Sequence, residues 1–249
     1  MARYTSVHRF WAAERVSVFG FDAHGHGRSE PEDAADRGLV WQFNDLINDA
    51  QQFAGMVMES VPHGTPVFLG GQSLGGLIAT MPVQRDATRW SGLILCSAAM
   101  DVEWTLALRI QKPFAGLLTR LLPREQMVPA ANPRDLSKDA KVIQDFMEDP
   151  LTLKGKVRVR TAAQILQAFS EAKEQRSRLR LPVFAHHGDG DKITSLPAMR
   201  EFMAAIPSHN KTLKVVRGGA HELLMGEGFE EHARPISDWI LKTCPTARL

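Results

Sequence analysis

Apolar positions along the chain change rhythm several times, and each change predicts an element. Val7, Phe10 and Trp11 recur at helical spacing, and the run Val16-Ser17-Val18-Phe19-Gly20-Phe21 that follows is β-branched and aromatic, so a helix and then a strand are expected. Phe43, Leu46, Ile47, Ala50, Phe53 and Val57 mark a second helix, followed by a short buried strand at Pro66-Val67-Phe68-Leu69 and another at Leu93-Ile94-Leu95-Cys96. Late in the chain, Pro182-Val183-Phe184-Ala185 and Leu213-Lys214-Val215-Val216 read as strands. Each precedes a helical pattern, the last ending on Ile236, Trp239 and Ile240. Strands that alternate with helices imply a mostly parallel, doubly wound α/β sheet. Between about Asp101 and Arg180 the rhythm breaks: Ile110, Phe114, Leu117, Leu118 and Leu121 keep helical spacing with no strand between them. This stretch reads as a helical cap inserted into a single α/β domain spanning residues 1–249.

Composition narrows the class. Apolar residues at 44% and charged residues at 23% are ordinary for a folded globular chain. Thirty basic against 28 acidic side chains leave a net +2, too weak a field to gather nucleic acid. Cys96 and Cys244 make no disulfide framework, and no Cys/His spacing suggests a metal site, so a reducing compartment is expected. No stretch is long and apolar enough to span a bilayer, and Met1-Ala2-Arg3-Tyr4-Thr5 lacks the core of a signal peptide. The expected location is therefore cytoplasmic. The cap carries fifteen basic against ten acidic residues between Asp101 and Arg180, which suits either peripheral contact with an anionic membrane or plain solvated helix faces.

The sharpest chemical signal is Gly71-Gln72-Ser73-Leu74-Gly75, set directly between a strand and the helical Leu77-Ile78-Ala79 segment. A serine on such a turn needs small neighbours, because the turn is tight and bulk would block the hydroxyl; Gly71, Gly75 and Gly76 meet that need. A serine hydroxyl becomes a competent nucleophile only when a histidine takes its proton and a carboxylate orients that histidine. His221, in Gly218-Gly219-Ala220-His221, lies just past a late strand, and both Asp189 and Asp191 lie just past the strand before it. The order Ser, Asp, His is that of serine hydrolases with a strand-to-helix nucleophile turn. Periodicity does not choose between the two aspartates. The remaining histidines carry the commoner structural roles, His24 and His26 within the turn Asp22-Ala23-His24-Gly25-His26-Gly27-Arg28-Ser29.

These pieces together resemble the monoacylglycerol lipase and lysophospholipase-like group of α/β hydrolases, which also includes plant esterases acting on caffeoyl shikimate. Phe19-Gly20-Phe21-Asp22 with the His24 to Ser29 turn is similar to the segment after that group's fourth strand, and Gly71 to Gly76 to its nucleophile elbow. Asp135-Leu136-Ser137-Lys138-Asp139 and Asp149-Pro150-Leu151 resemble its cap, and His221-Glu222-Leu223-Leu224 its histidine loop. The resemblance implies an α/β-hydrolase fold, and makes Asp191, the last residue of a His-Gly-x-x-Asp pattern, the catalytic acid. It also implies an oxyanion donor at the Leu74 N–H. The likeness starts late, because the group's first strands and its His-Gly oxyanion loop have no counterpart before Arg3. The expectation is an N-terminally truncated chain or an internal starting methionine.

The expected activity is cofactor-free and metal-free hydrolysis of a carboxylic ester by Ser73, His221 and Asp191, with the Leu74 N–H stabilising the oxyanion. Ile110, Phe114 and Leu118 are candidates to line an acyl pocket under the cap, or simply to pack cap onto core. From the resemblance, a monoacylglycerol is the first substrate, a lysophospholipid the second and a hydroxycinnamoyl ester the third. The rival reading is a catalytically silent protein of the same fold that binds a ligand.

Overall fold

The computed structural model describes residues 2–31, 33, 35–101 and 115–244. The helix expected around Val7 is α1 (Thr5–Ala13), and that around Phe43 is α2 (Phe43–Ser60), whose buried side is Phe43, Leu46, Ile47, Ala50 and Ala54. There follow β1 (Phe68–Gln72), α3 (Leu74–Arg85) and β2 (Gly92–Cys96). After the segment discussed below come β5 (Val183–Gly188), α7 (Leu196–Ala205), β6 (Lys211–Val216) and α8 (Glu230–Thr243).

The main sheet has the order β1-β2-β5-β6, and every pairing in it is parallel. Strand alternation sorts its side chains onto two faces. Leu93, Leu95, Val183 and Ala185 point into one core with Ala79 and Val83 of α3 and Met199, Phe202 and Met203 of α7. Ile94, Cys96 and Phe184 point into the other, with Val7 of α1 and Ala233, Ile236 and Trp239 of α8. Both faces are thus covered by helices, which is why β2 and β5 are buried along their whole length.

The run Val16–Phe21 departs from expectation. It has no regular secondary structure: alternate residues are exposed, Phe19 at 51%, and it forms no ladder. A strand exists only through a hydrogen-bonded neighbour, and among the described residues β1 is the last strand on that side of the sheet. Strand propensity alone therefore left Val16–Phe21 unpaired.

Between β2 and β5 lie α4 (Ala115–Leu121), α5 (Ala140–Glu148) and α6 (Val159–Glu174), as the helical spacing suggested. The segment also holds an antiparallel pair, β3 (Gln126–Val128) with β4 (Val157–Arg158), which the all-helical expectation missed. Strands this short are below the length at which alternation becomes readable. The α6 helix seats Ala168, Phe169 and Ala172 against Leu77 and Met81 of α3 and Phe43 and Ile47 of α2, and Gln84 of α3 donates to the Ala172 carbonyl at 2.8 Å.

Candidate active site

The β1 strand ends on Gln72, and α3 starts on Leu74, so Ser73 alone makes the turn. Its φ of 54° and ψ of −124° lie in a region that L-residues rarely occupy. The strain is held from several sides: the Ser73 N–H donates to the Cys96 carbonyl at 3.1 Å, and the Ser73 carbonyl accepts from Gly76 at 3.0 Å and Ala99 at 2.9 Å. A Cβ on Gly71 would collide with the Gly75 carbonyl, and one on Gly76 with the Ala98 methyl. At Gly75 it would meet nothing, which corrects the expectation that all three glycines are sterically required. Leu74 opens α3, where the first backbone N–H groups have no acceptor within the helix.

His221 and Asp191 come together from the ends of two adjacent strands. The His221 Nδ1 lies 2.9 Å from Oδ2 of Asp191, with the two side chains 3% and 0% exposed. Asp189, two residues earlier, is exposed and accepts instead from the Gly218 N–H. The Asp191 carboxylate is saturated with donors. Its Oδ1 takes the N–H of Ile193 at 2.7 Å and of Thr194 at 3.0 Å, while Oδ2 also faces the Thr194 hydroxyl at 2.6 Å and His187 Nε2 at 3.4 Å. Burial alone would raise the Asp191 carboxyl, but bonds from His187, His221 and Thr194, with the nearby His221 charge, hold it well below the usual carboxylate range.

Ser73 reaches this pair through its neighbour. The Gln72 amide donates to the His221 carbonyl at 3.4 Å, so the nucleophile turn and the histidine loop are in direct contact. Ser73 is half-buried, and its hydroxyl has no hydrogen bond among the described residues. Of the expected pocket residues, Leu118 is half-buried on α4, and Ile110 and Phe114 fall outside the described residues. The turn at His24 to Ser29 is structural: the Asp22 carboxylate accepts from the Arg28 N–H at 3.0 Å, and Gly25 and Gly27 adopt positive φ.

Sequence reasoning overlooked His187, Thr194, Gln72 and Glu222. His187 begins the His-Gly-x-x-Asp pattern, and Thr194 follows Asp191 at the spacing by which an aspartate caps the next turn, so both left a faint local signal. Among the described residues no group of three or more His, Cys, Asp or Glu is placed to hold a metal ion, and no helix is long and apolar enough to cross a membrane.

A parallel sheet wrapped by helices, with a strained serine between strand and helix, defines an α/β hydrolase of the esterase and lipase type. Residues 1–228 match the family described as "Serine aminopeptidase, S33", and the chain belongs to that family. A monoglyceride lipase of Rattus norvegicus is 30% identical over 221 residues, covering 89% of this chain and 71% of its own. The caffeoylshikimate esterase of Arabidopsis thaliana is 28% identical over 236 residues, covering 90% of this chain and 68% of its own. Among solved structures, a monoacylglycerol lipase of Paleococcus ferrophilus superposes with a TM-score of 0.82 at 23% identity, covering 97% of this chain and 90% of that one.

Proposed function

We propose that the protein hydrolyses carboxylic esters, with Ser73 as nucleophile, His221 as general base and then acid, and Asp191 as the carboxylate that orients it. The observation that carries this reading is the 2.9 Å contact of His221 with Asp191, beside the strained Ser73 turn. Ser73 Oγ attacks the ester carbonyl and passes its proton to His221 Nε2, while Nδ1–H stays bonded to Asp191. The Leu74 N–H takes the negative charge of the tetrahedral oxygen. Collapse expels the alcohol, protonated by His221, and leaves an acyl-serine. Water then attacks that ester, giving a proton to His221, which passes it to Ser73 Oγ as the carboxylic acid departs.

The first-choice substrate is a monoacylglycerol, supported by the named activity of the rat and human relatives, the latter 28% identical over 247 residues. A lysophospholipid stands second and a hydroxycinnamoyl ester third, the latter supported by the plant relative. The segment at about 101–180 acts as a cap. Support for this comes from its packing on α3 and from Leu136, whose carbonyl accepts the Glu222 N–H at 2.7 Å next to His221. There Leu118, half-buried on α4, would wall an acyl chain. The cap also offers a membrane-facing surface, since Leu117, Leu121, Leu122 and Met127 are exposed near Arg120 and Arg124. Free thiols at buried Cys96 and half-buried Cys244 suit a reducing, cytoplasmic compartment.

A fluorophosphonate probe tests the reading directly: wild type should be labelled, and Ser73→Ala should not. Release of glycerol from a monoacylglycerol, set against a lysophospholipid and a caffeoyl ester, ranks the substrates. Two points favour a silent ligand-binding protein instead: among the described residues Val16–Phe21 joins no ladder, and Leu74 is the single oxyanion donor proposed above. Loss of a single such donor typically costs about a hundred- to a thousandfold in rate. An unlabelled wild type would establish that alternative.

A further inference from the structure

The triad leaves a second buried carboxylate beside it unexplained. Glu222 follows His221 in the chain and is 8% exposed. Both of its oxygens lie 3.3 Å from the hydroxyl of Tyr4, at the entry to α1 and 218 positions away in sequence. Gln72, the residue before Ser73, donates to the His221 carbonyl and is among the groups that pull the Glu222 carboxyl down. The other end of that amide, Oε1, is buried with no partner among the described residues. The Glu222 N–H completes the set by donating to Leu136.

A buried carboxylate is expensive to keep. Desolvation costs several kcal/mol, and a well-packed apolar residue of similar size commonly leaves a fold as stable or more so. Burial pushes the Glu222 carboxyl up, and His221, Arg3, Gln72 and Tyr4 together pull it back. Burial, and after it the nearby Glu222 charge, pushes the neighbouring Cys96 thiol up to about 12, which leaves that thiol inert. What the carboxylate supplies in return is a tie: its oxygens are anchored on Tyr4, it interacts electrostatically with Gln72, the residue before the nucleophile, and its own backbone follows directly on the base.

We infer that Glu222 is a positioning residue. Anchored by the Tyr4 hydroxyl, it fixes Gln72 and the backbone of His221 so that the Ser73 turn and the histidine loop stand in register. The role rests on the assignment of Ser73 and His221 proposed above. Glu222 itself touches neither substrate nor the reacting atoms. It acts through geometry, and small displacements of reacting groups have large kinetic effects.

The test compares Glu222→Ala, Glu222→Gln and Tyr4→Phe, using the rate of fluorophosphonate labelling and the kcat and KM for p-nitrophenyl butyrate. Glu222→Ala should be labelled about tenfold to a hundredfold more slowly and lose kcat by a similar factor, with KM within about twofold. Glu222→Gln keeps the shape and an acceptor, and should recover to within about threefold of wild type. Tyr4→Phe removes only the anchor, and should cost about fivefold in kcat. Wild-type rates in Glu222→Ala would overturn the inference, as would a Glu222→Gln variant no faster than Glu222→Ala. If Glu222→Ala fails to fold, an unchanged kcat in Tyr4→Phe overturns it equally. Ser73→Ala separates the two levels: unlabelled Ser73→Ala beside a fully active Glu222→Ala removes the positioning role alone, whereas an unlabelled wild type removes the nucleophile assignment and this role with it.

Discussion

His221 holds its Nδ1 2.9 Å from Oδ2 of Asp191, while Asp189, two residues closer to the strand, turns out to bond the Gly218 N–H. An amide at position 191 can no longer serve as the anionic acceptor that stabilises the imidazolium. Asp191→Asn is expected to lower kcat by about a thousandfold or more, as in serine triads generally. Asp189→Asn loses one exposed bond and should stay within a few-fold of wild type. Steady-state rates on one soluble ester decide between them, and the opposite ranking would make Asp189 the acid.

The Thr194 hydroxyl, 2.6 Å from the same Asp191 oxygen, gives a pH-dependent stability prediction. The Asp191 carboxyl is depressed in the folded state, so the stability it contributes is fully present above about pH 4 and is lost as pH falls below that. Thr194→Val removes a donor and lets the carboxyl rise toward its ordinary value. The variant should lose about 1–3 kcal/mol near neutral pH, and keep that loss at every pH where the folded carboxylate stays ionised. Urea unfolding at about pH 7 measures it; an unchanged stability would show that the hydroxyl contributes nothing to holding the carboxylate.

His186 predicts a second, separate pH window. It is fully buried on β5, neither ring nitrogen has a hydrogen-bond partner among the described residues, and burial, with His232, Lys214 and His187 nearby, lowers it from 6.5 to about 3. The unfolded chain takes a proton there that the folded chain refuses. Stability is therefore intact above pH 6.5 and declines as pH falls toward about 3. His186→Phe should flatten that decline by up to about 1.4 kcal/mol per pH unit. Glu222, whose carboxyl is raised, has the opposite sign above its ordinary value, but it is common to both proteins and drops out of the difference. Parallel pH profiles of the unfolding midpoint for wild type and variant would refute the assignment.

Gly75 and Gly76 are adjacent, yet should respond in opposite ways to the same substitution. A methyl on Gly76 meets the Ala98 side chain, and one on Gly75 meets open space inside α3. Gly76→Ala should cost about 1–3 kcal/mol through overpacking. Gly75→Ala should be neutral or stabilise by up to about 1 kcal/mol through helix propensity. Thermal unfolding of the two variants checks this, and equal losses would mean that the turn as a whole tolerates no side chain.

What the linear chain determined by itself was everything periodic or ordered along it. The alternation that buries Leu93 and Leu95 on one face and Ile94 and Cys96 on the other is a property of one strand, as is the helical stripe of Phe43, Leu46 and Ile47. The placement of Ser73 between strand and helix, and the order Ser73, Asp191, His221, were legible for the same reason. Tertiary structure decided whatever depends on a partner distant in sequence. Val16–Phe21 has strand residues but no ladder, because a strand is made by its neighbour and not by its own composition. Asp189 and Asp191 differ by two positions and share one periodicity; the loop after β5 turns Asp191 onto His221 and Asp189 onto the Gly218 N–H. Gln72, Glu222 and Tyr4 meet across more than two hundred residues, and no local pattern records such a contact, since periodicity describes the faces of an element and is silent on what packs against them.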